Sequence, residues 1–278
     1  MDPLEVSPTV PELVDIWQLA LESVADLTDN LTDEEWRAAT PCPGWSVADI
    51  VAHLIDVEQF MAGSPRPDHA PDWTSLPHAA GDFGRFTELG VDYRRGRPRD
   101  QVLDELRQTI AARRRELDAV PEGQQVTGIL GTPTTIDRLL RIRIFDAWVH
   151  QQDIRTALGL DGAWDTAPAI VAFQQMAKAV PVVWSRTVKA SPGQVVHVSV
   201  TGPGLAAEIY ADVDDTGRGR RCAPVAEPAV SLTVSWPDFM RIANGRVAVD
   251  DPALRSRFAL TGDPVLAESL LPALSIAP

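Results

Sequence analysis

Cysteine is scarce in this chain: only Cys42 and Cys222 occur among its 278 residues. They form no CxxC pair, which excludes a disulfide framework and a cysteine-rich zinc site. No apolar run approaches the roughly 18 residues that suggest a membrane-spanning helix. The acidic first 15 residues also lack the basic and apolar regions of a secretory signal. We therefore expect a cytoplasmic protein with no membrane partner.

Positive charge is also in deficit. The formal net charge is −14, so the summed field repels nucleic-acid phosphates. The arginines at 94–99 and 113–115 are interspersed with acidic residues and are interpreted as solvated helix faces. The sequence therefore predicts no nucleic-acid partner.

Hydrophobic residues, by contrast, are plentiful, at 45% of the chain. That proportion is typical of a folded protein, and the length favours two domains. Apolar residues recur at helical spacing in the first two thirds of the chain, which predicts helices over 11–30, 46–63, 81–93, 98–120, 135–158 and 167–183. A loop rich in proline, residues 64–78, separates the second and third and can lie over a site between helices.

After residues 191–193 the pattern changes to short β-branched segments, which predicts strands over 195–200, 206–212 and 229–236. Helical patterns return at 236–245 and 263–271. The sequence therefore predicts an α+β fold, with an up-and-down helical bundle in residues 1–185 and a small α+β domain in residues 194–278.

Chemistry-bearing residues concentrate on the helix predicted over 135–158. Arg143, Asp146, His150 and Asp153 are separated by three, four and three residues, so they share one helix face. A carboxylate and an imidazole at i, i+4 can reach the same metal ion. The alternative is that Asp146 and His150 form only an intrahelical ion pair.

The second helix offers a third ligand, His53, which has Asp49 and Asp56 on the same face. Carboxylates next to ligating histidines commonly orient the imidazole ring, so Asp49 and Asp153 are predicted to support His53 and His150. Three protein ligands leave an open position, as in catalytic metal sites. Taken singly, each histidine can equally be a hydrogen-bonded or surface residue.

Two segments carry a family resemblance. Residues 40–54, TPCPGWSVADIVAHL, and residues 145–159, FDAWVHQQDIRTALG, resemble the mycothiol-dependent maleylpyruvate isomerase family. The segments at 245–247 and 260–271 resemble that family's small C-terminal domain. The resemblance implies a DinB-like four-helix bundle followed by a small sterol-carrier-like α+β domain.

The resemblance also implies a zinc site of two histidines and a carboxylate, with His53 and His150 matching the family's ligands. The carboxylate four residues before the second histidine is usually glutamate in the family, whereas this chain has Asp146, which is one methylene shorter. Direct ligation by Asp146 then requires a closer approach of the helices or an intervening water. Cys42, in the turn before the second helix, is the less favoured candidate for a fourth ligand.

The leading functional hypothesis is a metal-dependent enzyme that uses a mycothiol-type, low-molecular-weight thiol on a small electrophilic substrate, by isomerisation, thiol transfer or hydrolysis. The absence of a GxSxG nucleophile motif agrees with an external nucleophile. Arg85 and Arg143 are the candidate catalytic residues that could face an anionic substrate. The alternatives are a non-haem Fe(II) enzyme, which uses the same ligand types, and a non-enzymatic scaffold that binds an apolar ligand or a partner protein.

Overall fold

The computed structural model describes residues 2–129 and 131–276, which form two compact units. One unit comprises Pro8–Asp161, and the other combines the residues up to Ser7 with those from Gly162 onward. The first unit is mainly helical and the second contains a five-stranded sheet, which confirms the predicted α+β class. The ends of the predicted domains at residues 1 and 278 lie outside the described residues.

Helices make up most of the first unit. Its elements are α1 (Val10–Thr28), α2 (Asp33–Trp36), α3 (Val47–Met61), α4 (Gly81–Arg94), α5 (Arg99–Leu117), the hairpin strands β1 (Gln125–Thr127) and β2 (Pro133–Thr135), and α6 (Ile136–Ala157). Each of α1 and α3 packs against both α5 and α6, while α4 packs on α3. The predicted bundle is therefore present, with α4 added to the outside of α3.

The bundle helices form because each can bury an apolar stripe. Trp17 of α1, Ile50 and Leu54 of α3, Leu106 of α5 and Trp148 of α6 are fully buried. At about 25 cal/mol per Å² of buried apolar surface, these large side chains dominate the stability of the unit. The opposite faces of α1 and α5 are mostly polar, whereas α3 is buried on all sides over residues 49–58. In the part of the chain that the structure describes, no helix has both the length and the apolar character needed to cross a bilayer.

The second unit is organised around a mixed sheet. Its elements are α7 (Ala167–Val182) with a π-helical turn at Val183–Thr187, β3 (Val195–Gly202), β4 (Leu205–Val213), β5 (Gly219–Arg221), β6 (Val230–Ser235), α8 (Trp236–Ala243), α9 (Pro252–Arg255), β7 (Ala259–Gly262) and α10 (Pro264–Ala273). The strand order is β5-β4-β3-β6-β7, with β3 and β6 parallel and the other pairs antiparallel. Alternating residues of β3, such as Val198, point into the core, where Phe173, Trp236 and Phe239 pack together.

Helix α7 belongs with the sheet by its contacts. It packs against β4 and β5, and the Gln174 amide donates to the carbonyl oxygens of Pro3 and Val6, each at 2.7 Å. The division between the units therefore falls at residues 161 and 162, whereas the sequence pattern predicts a boundary between 185 and 194. The pattern changes there because the first strand begins, and helical periodicity alone does not say which partner a helix packs on.

Limited proteolysis distinguishes the two boundaries. Because α7 packs on strands of its own unit, we expect the first stable cut in residues 158–163 and not in residues 186–193. Mass spectrometry of the early fragments gives the position. Preferential cleavage in residues 186–193 would instead support the boundary predicted from the sequence.

Candidate metal centre

The start of α3 is fixed by a reciprocal cap. The Ser46 hydroxyl accepts the backbone N–H of Asp49, and the Asp49 carboxylate accepts the backbone N–H of Ser46 at 2.9 Å. The other carboxylate oxygen of Asp49 accepts a bond from Arg95 Nε at 3.0 Å. Asp49, predicted to orient His53, thus holds the helix start, and among the described residues no hydrogen bond reaches the His53 ring from it.

Three predicted ligands converge between α3 and α6. His53 Nε2 lies 3.3 Å from Asp146 Oδ2, and His150 Nε2 lies 3.8 Å from Asp146 Oδ1. One donor atom from each of the three side chains falls within 4.8 Å of the others. Both histidines are buried, whereas the Asp146 side chain is 26% exposed. The cluster is therefore buried on the histidine side and accessible beside the carboxylate.

The His53 ring fits a metal ligand. Both of its nitrogens are buried without a hydrogen-bond partner among the described residues, since the contact to Asp146 lacks hydrogen-bond geometry. Burial lowers the pKa of His53, and Asp146 opposes this only in part, so the ring is neutral at pH 7. An unpaired buried nitrogen costs about 1–3 kcal/mol. Coordination to a divalent cation would satisfy it.

His150 is oriented by the carboxylate one turn along α6. Its Nδ1 lies 3.0 Å from Asp153 Oδ2, and Asp153 is 1% exposed. With Nδ1 protonated and donating to Asp153, Nε2 carries the lone pair and faces Asp146.

Cys42 forms a second cluster, in which its sulfur and donor atoms of His150 and Asp153 lie within 4.8 Å of one another.

Arg143 is buried beneath Asp146. Its Nη1 donates to Asp146 Oδ2 at 3.0 Å, and its Nε donates to Glu58 of α3 at 2.8 Å. Burial acts to raise the pKa of Asp146, but the nearby Arg143 and His53 outweigh it and hold that pKa well below its usual range. Asp146 is therefore an anion that can neutralise a cation. The placement of Arg143 favours support of Asp146 over open contact with a substrate.

Trp45 forms one wall of the cluster. Its ring centroid lies 4.8 Å from that of His53 and 5.7 Å from that of His150. The indole Nε1 donates to Glu88 of α4 at 2.7 Å, and Glu88 is 1% exposed. No role in the site is predicted for Trp45 from the sequence. Trp45 ends the PCPGW turn, residues 41–45, directly before the cap of α3, and this position is the one feature of the sequence that places it near His53.

The proline-rich loop is fastened to α4 by two histidines. His78 Nε2 lies 3.0 Å from Glu88, and His69 Nε2 lies 2.7 Å from Asp92. The same Glu88 also accepts from Arg95 at 2.5 Å. Since Glu88 receives the indole of Trp45 as well, the loop and the wall of the cluster share one buried acceptor.

Arg85 contacts the proline-rich loop. It is an exposed residue of α4 whose guanidinium carbon stands 5.5 Å from the ring centroid of Trp73. Trp73 belongs to a short 3₁₀ turn in the proline-rich loop. Contact of Arg85 with an anionic substrate therefore stays a prediction.

Known proteins resemble this chain in sequence and fold. Two uncharacterised Mycobacterium tuberculosis proteins, from strains CDC 1551 and H37Rv, are each 26% identical over 134 residues, which is 48% of this chain and 51% of each relative. The chain thus spans about half the length of the curated relatives it matches.

Two crystal structures share the fold. They are a mycothiol-dependent maleylpyruvate isomerase and a histidine-to-alanine mutant of such an enzyme, both with a TM-score of 0.54 and 13% identity. The first alignment covers 90% of this chain and 93% of its counterpart, and the second covers 89% and 92%. At this identity they support the fold alone.

The family model described as the mycothiol maleylpyruvate isomerase N-terminal domain matches residues 17–155, half of the chain. The matched range contains His53, Asp146 and His150, together with the residues that surround them. The chain belongs to the mycothiol maleylpyruvate isomerase N-terminal domain family.

Proposed function

We propose that this chain is a metal-dependent enzyme that uses a low-molecular-weight thiol of the mycothiol type to isomerise a small electrophilic substrate. The observation that carries the proposal is the buried His53 ring, whose nitrogens have no hydrogen-bond partner among the described residues. Its Nε2 lies 3.3 Å from Asp146 Oδ2, and donor atoms of His53, Asp146 and His150 lie within 4.8 Å of one another. Membership of the family supports the thiol and the reaction class.

The donor set suits zinc. Two neutral imidazoles and one carboxylate are typical of a catalytic zinc site that keeps an open position. A bound divalent ion supplies positive charge that lowers the pKa of a thiol, so that the thiolate is available as a nucleophile near neutral pH. His53, Asp146 and His150 would hold the ion, with Asp146 contributing the negative charge.

The chain's own residues prepare the site in three ways. Asp153 holds the His150 ring so that Nε2 is directed towards Asp146. Trp45 covers both imidazoles and excludes water from that side, which strengthens electrostatic interactions there. The partly exposed Asp146 leaves the opposite side accessible to the thiol and substrate. In reversible addition of a thiolate to an activated double bond, the protein then needs no nucleophile of its own.

The direct test is an isomerase assay with maleylpyruvate, with and without mycothiol, on protein of measured metal content. We expect conversion that requires the thiol and is lost after treatment with a chelator. Turnover without thiol, or no turnover by zinc-loaded protein with thiol, would contradict the proposal.

Iron at purification with substrate-dependent oxygen consumption would favour the Fe(II) alternative. An apolar ligand that binds independently of His53 and His150 would favour a scaffold.

The two carboxylates that flank His150 on α6, Asp146 and Asp153, should differ in their effects on metal affinity. We expect Asp146→Asn to remove most zinc binding, because it deletes the anionic ligand, and Asp153→Asn to weaken it roughly 10 to 100-fold by releasing the His150 ring. Asp146→Glu should retain binding. Competition with a chromophoric chelator measures each affinity. If Asp146→Asn kept its zinc affinity and Asp153→Asn lost it, the carboxylate ligand would be Asp153, one turn further along the helix, and not Asp146.

A further inference from the structure

A buried ion pair joins the two helices that carry the candidate ligands. Glu58 on α3 accepts from Arg143 Nε on α6 at 2.8 Å, and the two side chains are 1% and 4% exposed. Arg113 of α5 stands at 3.8 Å from the other oxygen of Glu58. Glu58 is therefore held between arginines from two other helices.

The same guanidinium also binds a candidate ligand. Arg143 Nη1 donates at 3.0 Å to Asp146 Oδ2, the oxygen that lies 3.3 Å from His53 Nε2. Arg143 thus contacts α3 through Glu58 and the cluster through Asp146.

The short reach of aspartate gives this bridge its importance. The Asp146 carboxylate is one methylene from the backbone, so its distance from His53 depends on how closely α3 and α6 approach. Arg143 stands three residues before Asp146, about 4.5 Å along the helix axis. The Glu58–Arg143 pair therefore joins α3 to α6 within one turn of Asp146.

Stability alone gives a poor account of the pair. Taking two charges out of water costs free energy, and their attraction often does no more than offset that cost. Replacing a buried ion pair by apolar residues therefore often leaves the free energy of unfolding unchanged. Fixing the geometry of a site is a role that an apolar pair would not fill.

We infer that Glu58 and Arg143 are positioning residues, which hold α3 and α6 and the Asp146 carboxylate in the arrangement that lets a short acid serve as a metal ligand. The inference rests on the proposed metal site. It assigns Glu58 a role in metal affinity although its carboxylate is bonded to arginine and is outside the ligand cluster.

The test is the double variant Glu58→Gln/Arg143→Met, which removes both buried charges together and leaves neither unpaired. We expect a folded protein whose zinc affinity, measured by chelator competition, is roughly 10 to 100-fold weaker. The visible spectrum of the Co²⁺-loaded protein should also change, because the carboxylate is no longer held in one orientation. Adding Asp146→Glu to the double variant should restore most of the zinc affinity, because the longer glutamate side chain can still reach the metal when α3 and α6 lie further apart.

The matched control is Asp56→Asn/Arg94→Met, which removes another buried ion pair of α3, one that joins it to α4. We expect this control to change stability and to leave zinc affinity and the Co²⁺ spectrum at wild-type values. Arg143→Lys serves if the double variant does not fold. A lysine keeps the charge but cannot bridge both carboxylates, so its zinc affinity should also fall.

Two outcomes separate the inference from the proposed function. Wild-type protein that binds neither Zn²⁺ nor Co²⁺ would overturn the proposed function and this inference with it. Wild-type binding with unchanged affinity and spectrum in the folded Glu58 and Arg143 variants would overturn the inference alone. Equal loss in the Asp56 and Arg94 control would also overturn it, because the effect would then be general destabilisation.

Discussion

Replacement of His150 by alanine is expected to yield protein that purifies without a bound divalent metal. The substitution removes one of three donors, and His53 with Asp146 alone would form an incomplete site. His53→Ala should have the same effect. Elemental analysis of protein purified without added metal gives the stoichiometry, which should be one ion per chain in the wild type.

His197→Ala is the matched control for that measurement. His197 lies on β3 in the sheet unit, where its ring stacks on Tyr210 with centroids 4.3 Å apart. It should retain one metal per chain. Full occupancy in both the His53 and His150 variants would rule out the site, and loss in the His197 variant would indicate a general folding defect.

Gly90→Ala is expected to destabilise the helical unit by about 3 kcal/mol or more. A Cβ atom at this position of α4 would stand 1.9 Å from the Asp56 carboxyl carbon. Asp56 is 3% exposed and bonds Arg94 and Arg66, so it can move only by breaking buried ion pairs. The better helix propensity of alanine returns only about 1 kcal/mol. The clash therefore outweighs the propensity.

Urea unfolding followed by far-UV circular dichroism measures this effect, with Gly96→Ala as the control. Gly96 follows α4, and a Cβ there would meet nothing within 4 Å. Its substitution should change the free energy of unfolding by less than about 0.5 kcal/mol. Equal stabilities for the two variants would show that α3 and α4 can separate at Gly90 without loss.

The sequence predicts the arrangement of the candidate residues on α6, because that arrangement depends on spacing within one helix. Asp146 and His150 are four residues apart, and Asp153 is three beyond, so their shared face follows from helix geometry alone. The cap of α3 at Ser46 is equally local. These positions need no knowledge of how helices pack.

The non-local contacts had no comparable signal. Glu58 and Arg143 are 85 residues apart, and Trp45 and Glu88 are 43 apart. Each pair depends on which helix faces are neighbours, which periodicity does not specify. The short strands β5 and β7 were missed for a related reason: their assignment comes from pairing with β4 and β6 and not from an alternating pattern of their own.

The contacts of Gln174 with Pro3 and Val6 have a consequence for the order in which this protein folds as it is synthesised. Residues 2–7 leave the ribosome before the helical unit, but they belong to the unit that also contains the residues after position 161. The helical unit is complete before α7 emerges, so it can fold while residues 2–7 have not yet met their partner helix. Once α7 is made, the side-chain amide of Gln174, a residue that is 5% exposed, can donate to the carbonyl oxygens of Pro3 and Val6. Deletion of residues 2–7 would therefore destabilise the unit that is completed after the helical unit, although the deleted segment is made before it.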